Sequence, residues 1–195
     1  MTLKYVNETL NFDNIDIKEL GQTIQTPYYL YSENIIARNI DEYISELKNT
    51  DTLICYSVKA NSNLSILSLF AKKNLGFDIV SGGELQRVVR AGGDTSKVVF
   101  SGVGKTNEEI ELAIKSKIYC FNVESQSELH RIDSIASSLN VQANISLRVN
   151  PEIDAKTHPY ITTGLSENKF GISQDDVLST FKTISDYKSL NICGI

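Results

Sequence analysis

The chain has 195 residues, 41% hydrophobic and 22% charged, close to globular averages, which excludes disorder and allows one sizeable core. Its formal net charge of −5 excludes a nucleic-acid surface, because no cationic stripe is concentrated anywhere, and points to small-molecule ligands. No run approaches the roughly 20 apolar residues that span a bilayer, and the start MTLKYVNETLNFDN has no basic segment followed by an apolar one, so a cytoplasmic protein with no membrane partner is expected. Cys55, Cys120 and Cys193 each lie inside an apolar run, which predicts buried thiols rather than a disulfide framework or zinc site.

In chain order, residues 1–33 form a lead-in outside any repeat, whose Thr26-Pro-Tyr-Tyr-Leu-Tyr-Ser32 reads as a short strand. A helix follows from about Asn34 to Leu47. From there short apolar, β-branched runs alternate with helical patterns. The predicted strands are Thr52 to Val58, Gly76 to Val80, Lys97 to Ser101, Ile118 to Val123, Val141 to Val149 and Leu190 to Ile195. Three helices between them open on a capping-box pair: Ser81 and Glu84, Thr106 and Glu109, Ser125 and Glu128. A spacing of roughly 20 to 25 residues is the beat of a (β/α) barrel or a doubly wound parallel sheet. No linker interrupts residues 34–195, so they read as one domain. The longest irregular stretch, Asn150 to Gly171, follows a strand's C-terminal end, where parallel α/β folds place their active sites.

Side chains alternate across a strand, so polar and apolar residues sort by face. Ile54, Tyr56 and Val58 share one face, whereas Cys55, Ser57 and Lys59 share the other. The same sorting opposes Asp78 to Phe77 and Ile79, Asn122 to Phe121 and Val123, and Arg148 to Leu147 and Val149. A sheet buried on both faces would be apolar throughout; a polar second face favours a barrel whose interior is a site. Lys59, Asp78 and Arg148 then converge on one rim. Lys59 is either a solvated cation or an amine freed by desolvation for Schiff-base chemistry. Asp78 and Arg148 are expected to hold each other, either as a structural ion pair or around the ring of an aldehyde cofactor.

Other motifs have plainer readings. Ser101-Gly-Val-Gly-Lys-Thr106 suggests a phosphate loop but has Val99 where the motif needs glycine, so Thr106 reads as an N-cap. Ser81 and Glu84 either line the site or only cap their helix. His158, in the long loop, divides evenly between function and structure; His130 reads as surface or packing, and two distant histidines make no metal site. Lys169 faces either the site or the solvent.

Tyr56-Ser-Val-Lys-Ala-Asn61 resembles the cofactor-lysine motif of the fold-type III pyridoxal phosphate-dependent decarboxylases. Phe77-Asp-Ile-Val-Ser-Gly-Gly-Glu84, Phe121-Asn-Val-Glu-Ser125, Leu147-Arg-Val-Asn-Pro151, Thr157-His-Pro-Tyr-Ile-Thr-Thr-Gly164 and Asn168-Lys-Phe-Gly-Ile172 resemble the diaminopimelate decarboxylase branch in particular. The resemblance implies an alanine racemase-like (β/α)8 TIM-type barrel, present here as its first six strands. It implies pyridoxal 5'-phosphate on Lys59, with Asp78 and Arg148 supporting it, and conversion of meso-diaminopimelate to L-lysine by a homodimer. Ser57 departs from the family's more usual Ala. The family's phosphate-binding glycines, substrate arginines and C-terminal β domain would all lie beyond Ile195. The 195 residues alone are therefore expected to be inactive and prone to associate. Decarboxylases of ornithine, arginine or carboxynorspermidine, an alanine-racemase-like enzyme and a non-catalytic pyridoxal phosphate carrier are the alternatives on the same scaffold.

Overall fold

The computed structural model describes residues 3–151 and 170–195, and it divides into two compact units, Met1–Thr52 and Leu53–Ile195. The helix predicted from Asn34 lies in the first of these units.

In the first unit, β1 (Leu3–Val6), β2 (Thr9–Phe12) and β3 (Ile15–Asp16) form an antiparallel meander, followed by α1 (Ile17–Thr23) and α2 (Glu33–Leu47). The sequence missed this meander because its turns use Asn7, Glu8, Asp13 and Asn14 at positive φ in place of glycine or proline. Asp13 then accepts hydrogen bonds from the Ser32 hydroxyl (2.6 Å) and the Asn34 amide (2.9 Å), while Ser32 caps α2. The strand expected at Thr26 to Ser32 is absent: burial alternates along Tyr28 to Tyr31, but no neighbour completes a ladder.

The second unit repeats strand and helix: β4 (Cys55–Ser57), a single 3₁₀ turn Val58–Ala60, α3 (Leu64–Lys72), β5 (Gly76–Ile79), α4 (Gly82–Arg90), β6 (Val98–Phe100), α5 (Asn107–Lys115), β7 (Cys120–Val123), α6 (Gln126–Ser138), β8 (Ala143–Leu147), β9 (Val149–Asn150), β10 (Ile172–Ser173), α7 (Gln174–Ile184) and β11 (Leu190–Gly194). Six strands form one parallel sheet in the order β11-β8-β7-β6-β5-β4. That order never reverses, so the sheet is wound one way only, like a barrel wall. A doubly wound sheet would switch direction at its centre.

The helix-facing row Phe77, Ile79, Phe100, Phe121, Ile145 and Leu147 is essentially inaccessible and meets Leu85, Val88, Ile110, Leu129 and Ile132 from the helices. Burying a side chain of that size stabilises by about 1.5–3 kcal/mol, so this row holds the unit together. The opposite face carries Ser57, Asp78, Ser101 and Asn122, all only partly buried, as the alternation predicted.

The fifth predicted strand is broken at Arg148. Its backbone N–H still donates to Val123 (3.0 Å), but its carbonyl accepts from Ile172 (2.7 Å), so the chain leaves the main sheet to pair β9 with β10 in parallel. Gly171, at φ +87°, makes this junction: a Cβ there would lie 2.7 Å from the Arg148 carbonyl oxygen.

Candidate active site

Lys59 sits on the 3₁₀ turn at the C-terminal end of β4, one residue past the expected strand position. Fully buried Val58 pins the turn from below. The Tyr56 hydroxyl donates to the Asn61 carbonyl at 3.1 Å while its ring stacks on Phe70 at 3.9 Å, and Arg87 donates to the Ser62 carbonyl at 3.2 Å. Lys59 itself is exposed and makes no ion pair or hydrogen bond among the described residues. The burial expected of it is not seen; its side chain is instead exposed at the rim.

Beside that turn a hydrogen-bonded row crosses four consecutive strands and their exits. Asp78 accepts from the Ser101 hydroxyl (2.6 Å) and the Ser57 hydroxyl (3.4 Å), and Ser101 in turn accepts from the Asn122 amide (3.0 Å). With its single proton given to Asp78, Ser101 must act as acceptor toward Asn122, so the row has one polarity. The charge on Asp78 also reaches Cys55, whose thiol is held above its ordinary range first by burial and then by that carboxylate.

Asp78 and Arg148 do not hold each other, contrary to the sequence reading. Asp78 stands on β5 and Arg148 directly after β8, three strand spacings or about 14 Å apart along the sheet. Arg148 instead donates to Glu124 at 2.5 Å and lies 5.3 Å from the centre of the Phe170 ring. Glu124 directly follows β7, two residues after Asn122. Carrying the alternation one step past that strand would have found it.

Ser81 and Glu84 serve α4. The Ser81 hydroxyl accepts from the Glu84 N–H (3.2 Å) and the Glu84 carboxylate accepts from the Val80 N–H (2.7 Å). Glu128 repeats this on the Glu124 N–H (2.8 Å), so only Thr106 and Glu109 form the full reciprocal capping box. Glu109 also accepts from the Gly82 N–H at 2.7 Å, joining two helix starts. His158 and Lys169 lie outside the described residues.

Lys105, the lysine of the apparent phosphate loop, points inward. It is 2% exposed, donates to the carbonyls of Gly102 and Asn122, each at 2.8 Å, and is ion-paired with Glu128 at 2.6 Å. Buried and neutralised in this way, its ammonium is turned away from any phosphate at the loop. A cavity of ≈ 570 Å³ opens at the other end of the sheet, among Lys117, Tyr119, Val141 and Asn144 ahead of β7 and β8, away from Lys59.

The family model for the pyridoxal-binding domain of pyridoxal-dependent decarboxylases matches residues 33–195. The chain belongs to this pyridoxal-dependent decarboxylase family. Among its curated relatives, the diaminopimelate decarboxylase of Neisseria meningitidis serogroup A is 47% identical over 187 residues, 96% of this chain and 46% of the relative. The crystal structure of Helicobacter pylori diaminopimelate decarboxylase complexed with L-lysine superposes with TM-score 0.86 at 48% identity, covering 92% of this chain and 46% of that one. The M. jannaschii diaminopimelate decarboxylase in co-complex with L-lysine gives 0.89 at 37% identity, over 99% and 46%. The chain thus spans about half the length of the relatives it matches. Its six parallel strands correspond to the N-terminal part of the family's barrel.

The residues present fit the family's cofactor. A free primary amine stands at the rim, and the neighbouring interior face offers a carboxylate, hydroxyls, an amide and a half-exposed guanidinium rather than apolar packing. Such a set can bind and orient a polar aromatic aldehyde.

Proposed function

We propose that the intact protein is a pyridoxal phosphate-dependent carboxy-lyase that converts meso-diaminopimelate to L-lysine and carbon dioxide, with Lys59 as the covalent attachment point. The observation that carries this reading is the unengaged Lys59 amine at the C-terminal end of the first barrel strand, beside the Asp78 row. The substrate assignment rests on similarity: relatives from 44% to 54% identical are diaminopimelate decarboxylases.

When bound, the cofactor supplies an electron sink for the carbanion left by departing carbon dioxide. The chain's own contributions are positional. Lys59 would present its primary amine to the aldehyde at the rim. Ser57 and Ser101 hold Asp78 as an acceptor on the floor of the site, and Arg148 presents donors from the opposite side.

Reduction of the intact protein with borohydride, followed by peptide mapping, is expected to leave a pyridoxyl group on the peptide containing Lys59. An adduct elsewhere, or none, would refute the cofactor assignment. Supplied with meso-diaminopimelate, ornithine and arginine in parallel, the protein is expected to release carbon dioxide only from the first, and preference for either of the others would overturn the substrate.

A further inference from the structure

Arg148 is held in a way that its own strand does not require. Glu124 grips it from β7 at 2.5 Å, and the Phe170 ring lies 5.3 Å away on another side. Gly171 lets the backbone behind Phe170 approach the Arg148 carbonyl, and Ile172 ties that carbonyl down at 2.7 Å. Glu124 is itself seated from beneath, because its backbone N–H donates to Glu128, which is paired with buried Lys105. The Glu124 side chain is only 5% exposed, and its second carboxylate oxygen is buried with no hydrogen-bond donor among the described residues. Stability alone does not select a buried carboxylate with one oxygen unmet. The Arg148 side chain, by contrast, is 39% exposed, and among the described residues its guanidinium donates to Glu124 alone, which leaves donors on its open edge.

Resting on the pyridoxal reading above, we propose that Glu124 and Phe170 are positioning residues. They clamp Arg148 so that the open edge of its guanidinium receives an anionic oxygen from the bound cofactor or from the carboxylate of the amino-acid substrate. A guanidinium oriented by one carboxylate keeps its planar donor fork aimed, which a free arginine on a flexible stem does not. Glu124 and Phe170 act through Arg148, and neither needs to touch the ligand.

The test is a double-variant cycle in the intact protein. Pyridoxal phosphate is titrated into the apo form and followed by absorbance; L-lysine binding to the loaded form is followed by the same signal. Glu124→Ala and Phe170→Ala are each expected to weaken one of these affinities by on the order of ten-fold, the scale seen when a group orienting a binding residue is removed. Loss in the first titration assigns the oxygen to the cofactor, and loss in the second alone assigns it to the substrate. Combined with Arg148→Ala, Glu124→Ala is expected to add nothing further, and Glu124→Gln, which keeps an acceptor, to recover part of the loss. Should Glu124→Ala not fold, Phe170→Ala and the uncharged Glu124→Ala/Arg148→Ala pair carry the cycle. Affinities within about two-fold of wild type, or losses that add in full to those of Arg148→Ala, would overturn the clamp. The borohydride adduct on Lys59 in wild type is read separately, so failure of the clamp and failure of the cofactor reading are distinct results.

Discussion

Removing the Lys105 ammonium leaves Glu128 buried opposite two carbonyls that have lost their donor. Lys105→Met is therefore expected to destabilise by about 3–5 kcal/mol, and adding Glu128→Gln to recover part of it, as read from urea unfolding. Cys120 offers a pH test. Burial first, then neighbouring Cys193, raises its thiol from 9.0 to about 12. The folded state thus holds this proton more tightly than the unfolded chain. Its contribution is fully present below the unfolded value and is lost as pH rises from 9.0 toward about 12. The fall in unfolding midpoint between about pH 8 and about pH 10.5 should be smaller in Cys120→Ala than in the wild type, the remainder including the raised thiol of Cys55. At the lower pH a thiol reagent should modify exposed Cys193 before Cys120. Strand parity and its motif both single out Lys59, which the structure places on the turn after β4 rather than on the strand. The partner of Arg148 was not legible. Parity tells which face a side chain occupies, but not how many strands separate two residues on that face.

Among the elements, α5 makes the most connected start, because Glu109 accepts from the Thr106 N–H and from the Gly82 N–H of the preceding unit. Glu109→Ala is expected to cost about 2–3 kcal/mol in urea unfolding, against about 1 kcal/mol for Ser125→Ala, whose hydroxyl serves one donor. Equal losses would mean that the link to Gly82 carries no energy. Gly171→Ala is expected to cost about 1–3 kcal/mol and to separate β10 from β9, because a side chain at that φ strikes the Arg148 carbonyl. Helix starts were legible from their hydroxyl and Glu pairs. The acceptor geometry was not, because a Glu three residues into a helix reaches the N–H before the cap as easily as the cap's own. The β1–β3 meander and β10 escaped notice for a simpler reason: strands of two to four residues are too short to show a period.

At the scale of the whole chain, the six main strands and their faces were readable because each βα unit states its own pattern locally. The outer strand β11 has no further neighbour among the described residues, and its Asn191 and Cys193 are exposed. The 195-residue polypeptide is expected to self-associate through this edge with rising concentration in sedimentation velocity. A concentration-independent monomer would contradict this.

The one-way strand order also sets a timetable. Each unit contributes one member of the polar row, so during synthesis Ser57 leaves the ribosome first, then Asp78, Ser101 and Asn122, each beside a neighbour already made. No member has to wait for a distant partner before it can bond, and contacts between neighbours in sequence form fastest. Arg148 and its Phe170 contact come last, which makes the clamp the final part of the described site to close around a rim already in place.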